Sequence, residues 1–91
     1  MSVKGRKRAT FSVKAQPNVE VSVAGSFNNW KPSDKMMTDQ TGKGDYFVAL
    51  LLNKGKYEYK FLIGDKWTID PECEEWVTND LGSMNSVVIV K

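Results

Sequence analysis

The sequence predicts an all-β domain, an antiparallel β-sandwich of about seven short strands, and three observations carry that expectation. Apolar residues recur with a period of two rather than 3.6, the alternation of strands that turn one face to a core. Turn-forming residues punctuate the chain about every ten residues, and no segment carries a helical stripe. No repeat, low-complexity stretch or linker interrupts the 91 residues. They read as one domain near the small end of the usual range, able to bury roughly 60–65% of its unfolded surface.

The elements follow in order. Phe11 and Val13 alternate with Ser12 and Lys14; Val19, Val21 and Val23 alternate with Glu20 and Ser22. Both stretches read as half-buried strands with one wet face, separated by a turn at Gln16-Pro17-Asn18. Tyr46 to Leu52 is continuously apolar, as expected of a central strand. Asn53-Lys54-Gly55-Lys56 reverses the chain, with Gly55 suited to a positive φ. Tyr57, Tyr59, Phe61 and Ile63 then form a strict row opposed by Glu58, Lys60 and Leu62. Gly64-Asp65 makes a two-residue hairpin loop into a short strand, Lys66 to Ile69. From Asp70-Pro71 to Asn85 the pattern dissolves into a long acidic loop, and Ser86 to Val90 closes the chain as a last strand. The set fits an immunoglobulin-like sandwich. About fifteen residues without periodicity inside so small a domain favour a functional loop over filler.

Composition narrows the chemistry. The 41% hydrophobic and 26% charged fractions are those of an ordinary soluble domain rather than a disordered chain. The longest apolar run, Val48 to Leu52, is far too short to span a bilayer, and no apolar segment follows the first basic residues, so neither a membrane nor a secretory leader is expected. The lone Cys73 has no partner for a disulfide or a zinc site, which points to a reducing, cytoplasmic setting. Net charge is +2, but Lys4, Arg6, Lys7 and Arg8 crowd into the first eight residues, leaving −2 for the rest. Residues 1–8 read as a flexible basic arm on a mildly acidic domain, residues 9–91, that is a poor match for nucleic acid.

Trp30 ends the turn-like Gly25-Ser26-Phe27-Asn28-Asn29-Trp30, and Trp67 follows a hairpin loop. An indole in such a place costs stability unless something covers it. In a chain with no histidine and one cysteine, a ligand with flat apolar faces fits better than a metal or a reactive intermediate, and sugar rings are such ligands. Indole matches the axial C–H groups of a glucose face by dispersion and C–H contact. Lys60, on the polar side of its strand, can donate to neighbouring hydroxyls, and Asn85 can both donate and accept. Taken singly, each residue also has an ordinary reading. Trp30 could cap its turn, Trp67 could be core, Lys60 solvated and Leu81 a loop anchor. Asn28 and Asn29 read as turn formers rather than ligand contacts.

Four landmarks stand in order: the segment 25–30 above, Tyr57-Glu58-Tyr59-Lys60-Phe61, Trp67-Thr68-Ile69-Asp70-Pro71, and Val77-Thr78-Asn79-Asp80-Leu81-Gly82-Ser83-Met84-Asn85. Together, from Phe11 to Val90, they resemble the glycogen-binding domain of the AMP-activated protein kinase β subunit and the family 48 carbohydrate-binding modules. The resemblance implies a module that binds α-1,4-glucan, as glycogen, starch or maltooligosaccharide, without catalysis or cofactor. It implies that Trp30 and Trp67 stack on glucose rings, set at an angle suited to a curved glucan. Lys60 would hydrogen-bond sugar hydroxyls, Leu81 would enter the concave side of the glucan, and Ser83 and Asn85 would supply a hydroxyl and an amide. A place in or beside a glycogen-metabolism enzyme or kinase complex is the partner it implies. The chain departs from that family by one added residue between Trp67 and Leu81, by serine for threonine at Ser83, and by Glu72, Glu74, Glu75 and Trp76 where proline and aliphatic residues are expected. Trp76 is either an additional sugar contact or a plug beneath the loop, the plug being favoured.

Two other functions are weighed against sugar binding. Glycoside hydrolysis needs two carboxylates about 5–9.5 Å apart. Asp70, Glu72, Glu74 and Glu75 are the candidates, and they read as a solvated charge run on a mobile loop without a buried partner. A protein-interaction sandwich of the same fold, using the basic arm, the acidic loop and Trp76, is the other reading.

Overall fold

Two sheets form because alternate residues of each strand turn inward to a shared core. A computed structural model describes residues 6–31, 36–78 and 82–91. In chain order its strands are β1 (Arg6–Lys14), β2 (Val21–Gly25), β3 (Thr38–Asp39), β4 (Asp45–Asn53), β5 (Gly55–Ile63), β6 (Lys66–Thr68), β7 (Trp76–Thr78) and β8 (Met84–Val90). One sheet has the order β1-β4-β3; the other has β2-β5-β8-β7, with β6 also paired to β5. All pairings are antiparallel. The architecture is the antiparallel sandwich expected.

The core lies between the sheets. Phe11, Val13, Tyr46 and Leu50 come from one side and Val21, Val23, Tyr59 and Phe61 from the other, with Met37 among them. Phe11 meets the Tyr59 ring edge-on, with centroids 4.8 Å apart. Such an aromatic pair is worth about 0.5–1.5 kcal/mol beyond the area it buries. The Tyr46 hydroxyl closes the β1–β2 connection, donating to the Val19 carbonyl at 2.7 Å and accepting the Val19 N–H at 3.2 Å. Asn18 carries the left-handed φ of 67° that this turn needs.

Three expectations change. The strand expected around Phe11 starts earlier: Arg6, Lys7 and Arg8 pair with Asn53, Leu52 and Leu51, so the inner part of the basic arm is strand. The length of β4 explains it, since its backbone offers ladder partners as far as Asn53. The wet face of β2 is absent, with Ser22 and Ala24 as buried as the valines. There the returning chain lies along β2: Met36 bridges Ser22, and the Met37 N–H donates to the Val21 carbonyl at 2.8 Å. The acidic loop is not structureless, because β7 forms within it and pairs with β8. As expected, β4 is the central strand of its sheet, although Leu51 is half exposed.

Two local networks set the turns. The Asn28 side chain is buried, its amide donating to the Val23 and Lys31 carbonyls and its oxygen accepting the Gly25 N–H at 3.0 Å. The left-handed residues are Asn29 and Trp30, at φ 56° and 59°. Gly25 is required by close approach, since an added Cβ would stand 2.9 Å from Tyr59 Cβ and closer still to the Glu58 carbonyl. In the β3–β4 loop, Asp39 accepts N–H bonds from Gly44 at 2.8 Å, Gly42 at 3.0 Å and Asp45 at 3.1 Å. Desolvation pushes its pKa up, but these N–H groups and that of Thr41 outweigh it and hold the carboxyl below its ordinary value.

Two outcomes follow. Asn28→Ala leaves buried backbone groups without partners and should cost about 2–3 kcal/mol in urea unfolding; a loss under about 0.5 kcal/mol would contradict the role. Asp39 has a folded pKa below its unfolded value near 3.9, so its contribution is present above about pH 4 and lost as pH falls through the lowered folded value. The stability gap between wild type and Asp39→Asn should therefore be constant at neutral pH and shrink in acid. A gap independent of pH would refute it.

Candidate functional site

The register of β5 with its neighbours decides which side chains share a face, because directly opposed residues point the same way. Tyr59 and Phe61 face the core, so Glu58, Lys60 and Leu62 face outward. Ala24 of β2 opposes Lys60, and Ser22 opposes Leu62. From the other flank Trp67 opposes Leu62. On β8, Ser86 opposes the inward Tyr59, so Asn85 and Val87 belong to the outer face with Glu58.

Trp30 reaches the β2 side of this face through its turn. Its N–H donates to the Gly25 carbonyl at 2.9 Å, which holds its backbone beside the end of β2, next to the partner of Lys60. An aromatic residue with φ near 59° is strained by about 1–2 kcal/mol, and the Asn28 bonds hold it there. The backbone anchors of the two tryptophans, Gly25 on β2 and Trp67 on β6, thus lie on opposite sides of β5, separated by roughly 14 Å at standard strand spacings. Trp30 is 37% exposed and Trp67 49%. Between them the Lys60 ammonium donates to the Ser83 hydroxyl at 3.0 Å. Asn85 is only 5% exposed, and its amide nitrogen donates to Glu58 at 2.9 Å. Leu81 lies outside the described residues.

Trp76 does not join this group. It opposes Ser86 across the β7–β8 ladder, and Ser86 faces inward opposite Tyr59, so the register places Trp76 on the other side of the sheet. The register therefore does not bring Trp76 to the face of Lys60 and Trp67. The acidic loop also differs from its reading. Asp70 has a buried partner, since the Tyr59 hydroxyl donates to its carboxylate at 2.7 Å. Its other oxygen accepts the Glu72 N–H at 3.0 Å, and its own N–H donates to the Ser86 hydroxyl at 2.8 Å. Burial first, then this bond to Asp70, push the Tyr59 phenol well above its ordinary pKa, so it stays a donor. Cys73, the lone thiol, lies against the Glu75 and Val87 carbonyls at 3.0 and 3.1 Å.

Sequence reasoning gave three members of the outer face no role at the site. Glu58 and Leu62 were within reach, since the alternation already put them beside Lys60. Met36 was not, because it joins the row Met36-Ser22-Leu62-Trp67 only through an isolated bridge. Among the described residues no group of three or more histidines, cysteines or acids could hold a metal ion. Two half-exposed indoles around an ammonium, a hydroxyl and an amide suit a ligand with apolar ring faces and hydroxyl edges.

Comparison with known proteins identifies the family. A family model described as the glycogen recognition site of AMP-activated protein kinase matches residues 10–91. The chain is 39% identical over 89 residues to 5′-AMP-activated protein kinase subunit beta-1 of Sus scrofa, covering 88% of this chain and 68% of that one. It is 41% identical over 73 residues to the beta-1 subunit of Homo sapiens and 36% over 72 residues to the beta-2 subunit of Mus musculus. In both cases 79% of this chain is covered but only 25% of the relative. Among solved structures, a maltogenic amylase from S. marinus superposes with a TM-score of 0.71 over 96% of this chain and 14% of that one. At 21% identity that likeness shows the sandwich fold alone. By the near-complete family match and the identity to the kinase subunits, this chain belongs to the family of the glycogen recognition site of AMP-activated protein kinase.

Proposed function

We propose that this chain is a non-catalytic module that binds α-1,4-linked glucan, as glycogen, starch or maltooligosaccharide, on the outer face of the β2-β5-β8-β7 sheet. The observation that carries this reading is the pair of half-exposed indoles, Trp30 and Trp67, held on opposite flanks of Lys60. Sugar rings stack on the indoles, the Lys60 ammonium and Ser83 hydroxyl meet sugar hydroxyls, and Leu81 completes the contact. Family membership supports glycogen as the polymer, and the names of the relatives support a place in a kinase complex. Two acids near the platform already serve as acceptors, Glu58 for Asn85 and Asp70 for Tyr59, which favours binding over hydrolysis. An open platform leaves much of each sugar in water, so affinity falls between roughly millimolar and micromolar, about −4 to −8 kcal/mol.

Titration with maltoheptaose, read by tryptophan fluorescence, tests the assignment. Trp30→Ala and Trp67→Ala should each abolish detectable binding while the fold survives, whereas Trp76→Ala should leave affinity within about twofold. Retained binding in both of the first two variants would sink the platform. Silence of the wild type up to several millimolar would favour the protein-interaction reading instead.

A further inference from the structure

We infer that Glu58 is a positioning residue of the glucan face, which sets the orientation of the Asn85 amide. The inference rests on the sugar-binding reading and goes beyond it. Glu58 touches both arms of the platform. Its backbone is locked to the turn that displays Trp30, for the Ser26 N–H donates to the Glu58 carbonyl at 2.9 Å and the Glu58 N–H donates to the Ser26 hydroxyl at 3.2 Å. Its side chain faces outward between Lys56 and Lys60 and accepts the Asn85 amide nitrogen at 2.9 Å. The direct partner of Glu58 on β8 is Val87, so Asn85 is its diagonal neighbour, a contact only a long side chain spans.

The chemical consequence lies in what a carboxylate cannot do. An asparagine amide can turn over and exchange its donor and acceptor ends, whereas a carboxylate only accepts. Glu58 therefore requires the nitrogen of Asn85 to face it and places the amide oxygen on the other side. A glutamine of the same size at position 58 can satisfy either orientation, because it both donates and accepts. The charge at Glu58, and not merely its length, thus favours one polarity of the Asn85 amide. This bond is half-buried, where a lost hydrogen bond is felt.

Isothermal titration with maltoheptaose tests this on the full 91-residue chain and on Glu58→Ala, Glu58→Gln, Asn85→Ala and the double variant Glu58→Ala/Asn85→Ala. Asn85→Ala and Glu58→Ala should each weaken binding about tenfold, and the double variant no more than about twofold further. Glu58→Gln should keep its unfolding midpoint yet bind about three- to fivefold more weakly. The free Glu58→Gln protein should also show displaced Asn85 side-chain amide signals in 1H–15N spectra. Effects that multiply in the double variant would overturn the inference by making Glu58 independent of Asn85. Glu58→Gln with wild-type affinity or unmoved Asn85 signals would overturn it even if the alanine variants fail to fold. A wild type that binds no maltoheptaose would instead fell the sugar-binding reading, and with it any role of Glu58 toward glucan.

Discussion

The Tyr59 hydroxyl, donated to Asp70 at 2.7 Å, joins the core of this domain to the segment that follows Trp67. The Tyr59 ring packs against Phe11 and Phe61, so the hydroxyl is aimed by the core itself. Asp70 then reaches the Ser86 hydroxyl with its N–H and holds the Glu72 N–H with its second oxygen. One buried phenol thereby ties the end of β6 to β8, the two strands that share one edge of β5. Without that tie, Trp67 and Ser83 would approach Lys60 on two independently moving segments. The dependence runs from packing to site: the interlocked aromatic rings set the hydroxyl, and the hydroxyl sets the spacing of the platform.

The platform also depends on a trade at the other indole. A left-handed tryptophan is an unfavourable backbone state, and exposing more than a third of its surface forgoes burial. The three bonds of the Asn28 amide offset this, since two of them, to the Gly25 N–H and the Val23 carbonyl, engage backbone groups in buried surroundings. Lys60 and Ser83 meet this pattern from the opposite direction. Their bond is exposed and so contributes little to stability. In the proposed glucan complex, sugar hydroxyls would replace either partner at small cost. Rigid aromatic anchors and an easily exchanged polar pair lower the ordering cost of binding.

Much of this was legible in the chain. The row Tyr57, Tyr59, Phe61 and Ile63 shows that Lys60 faces away from the core, and the two turns show that Trp30 and Trp67 are displayed. What could not be read was any contact that depends on the register between distant strands. Nothing local to Glu58 or Asn85 says that they meet, because their pairing crosses from β5 to β8 over 27 residues of sequence. Ser22 fails for a related reason. Its alternation looks wet, and only the return of the chain at Met36 covers it. The basic residues at the start read as an arm because charge signals solvent, although a strand edge beside a long apolar neighbour suits them equally well.

Trp76 shows how sharply register decides function. It is 38% exposed, much like Trp30, and by composition alone it is as good a sugar-stacking residue as either of the others. A strand has a side-chain period of two, so its pairing with Ser86 rather than with Asn85 sends it to the opposite face from Lys60. A slip of one residue in β7 would put Trp76 beside Asn85 and Val77 on the far side. The Lys56–Glu75 ion pair at 3.6 Å and the Val87 N–H bond to the Glu75 carbonyl at 2.9 Å oppose that slip from the residue just before β7. The ion pair is exposed and contributes little by itself. The backbone bond, extending the β7–β8 ladder, is the stronger constraint. Backbone pairing at Glu75, rather than the charge of the loop, therefore keeps the third indole off the face that carries Lys60 and Trp67.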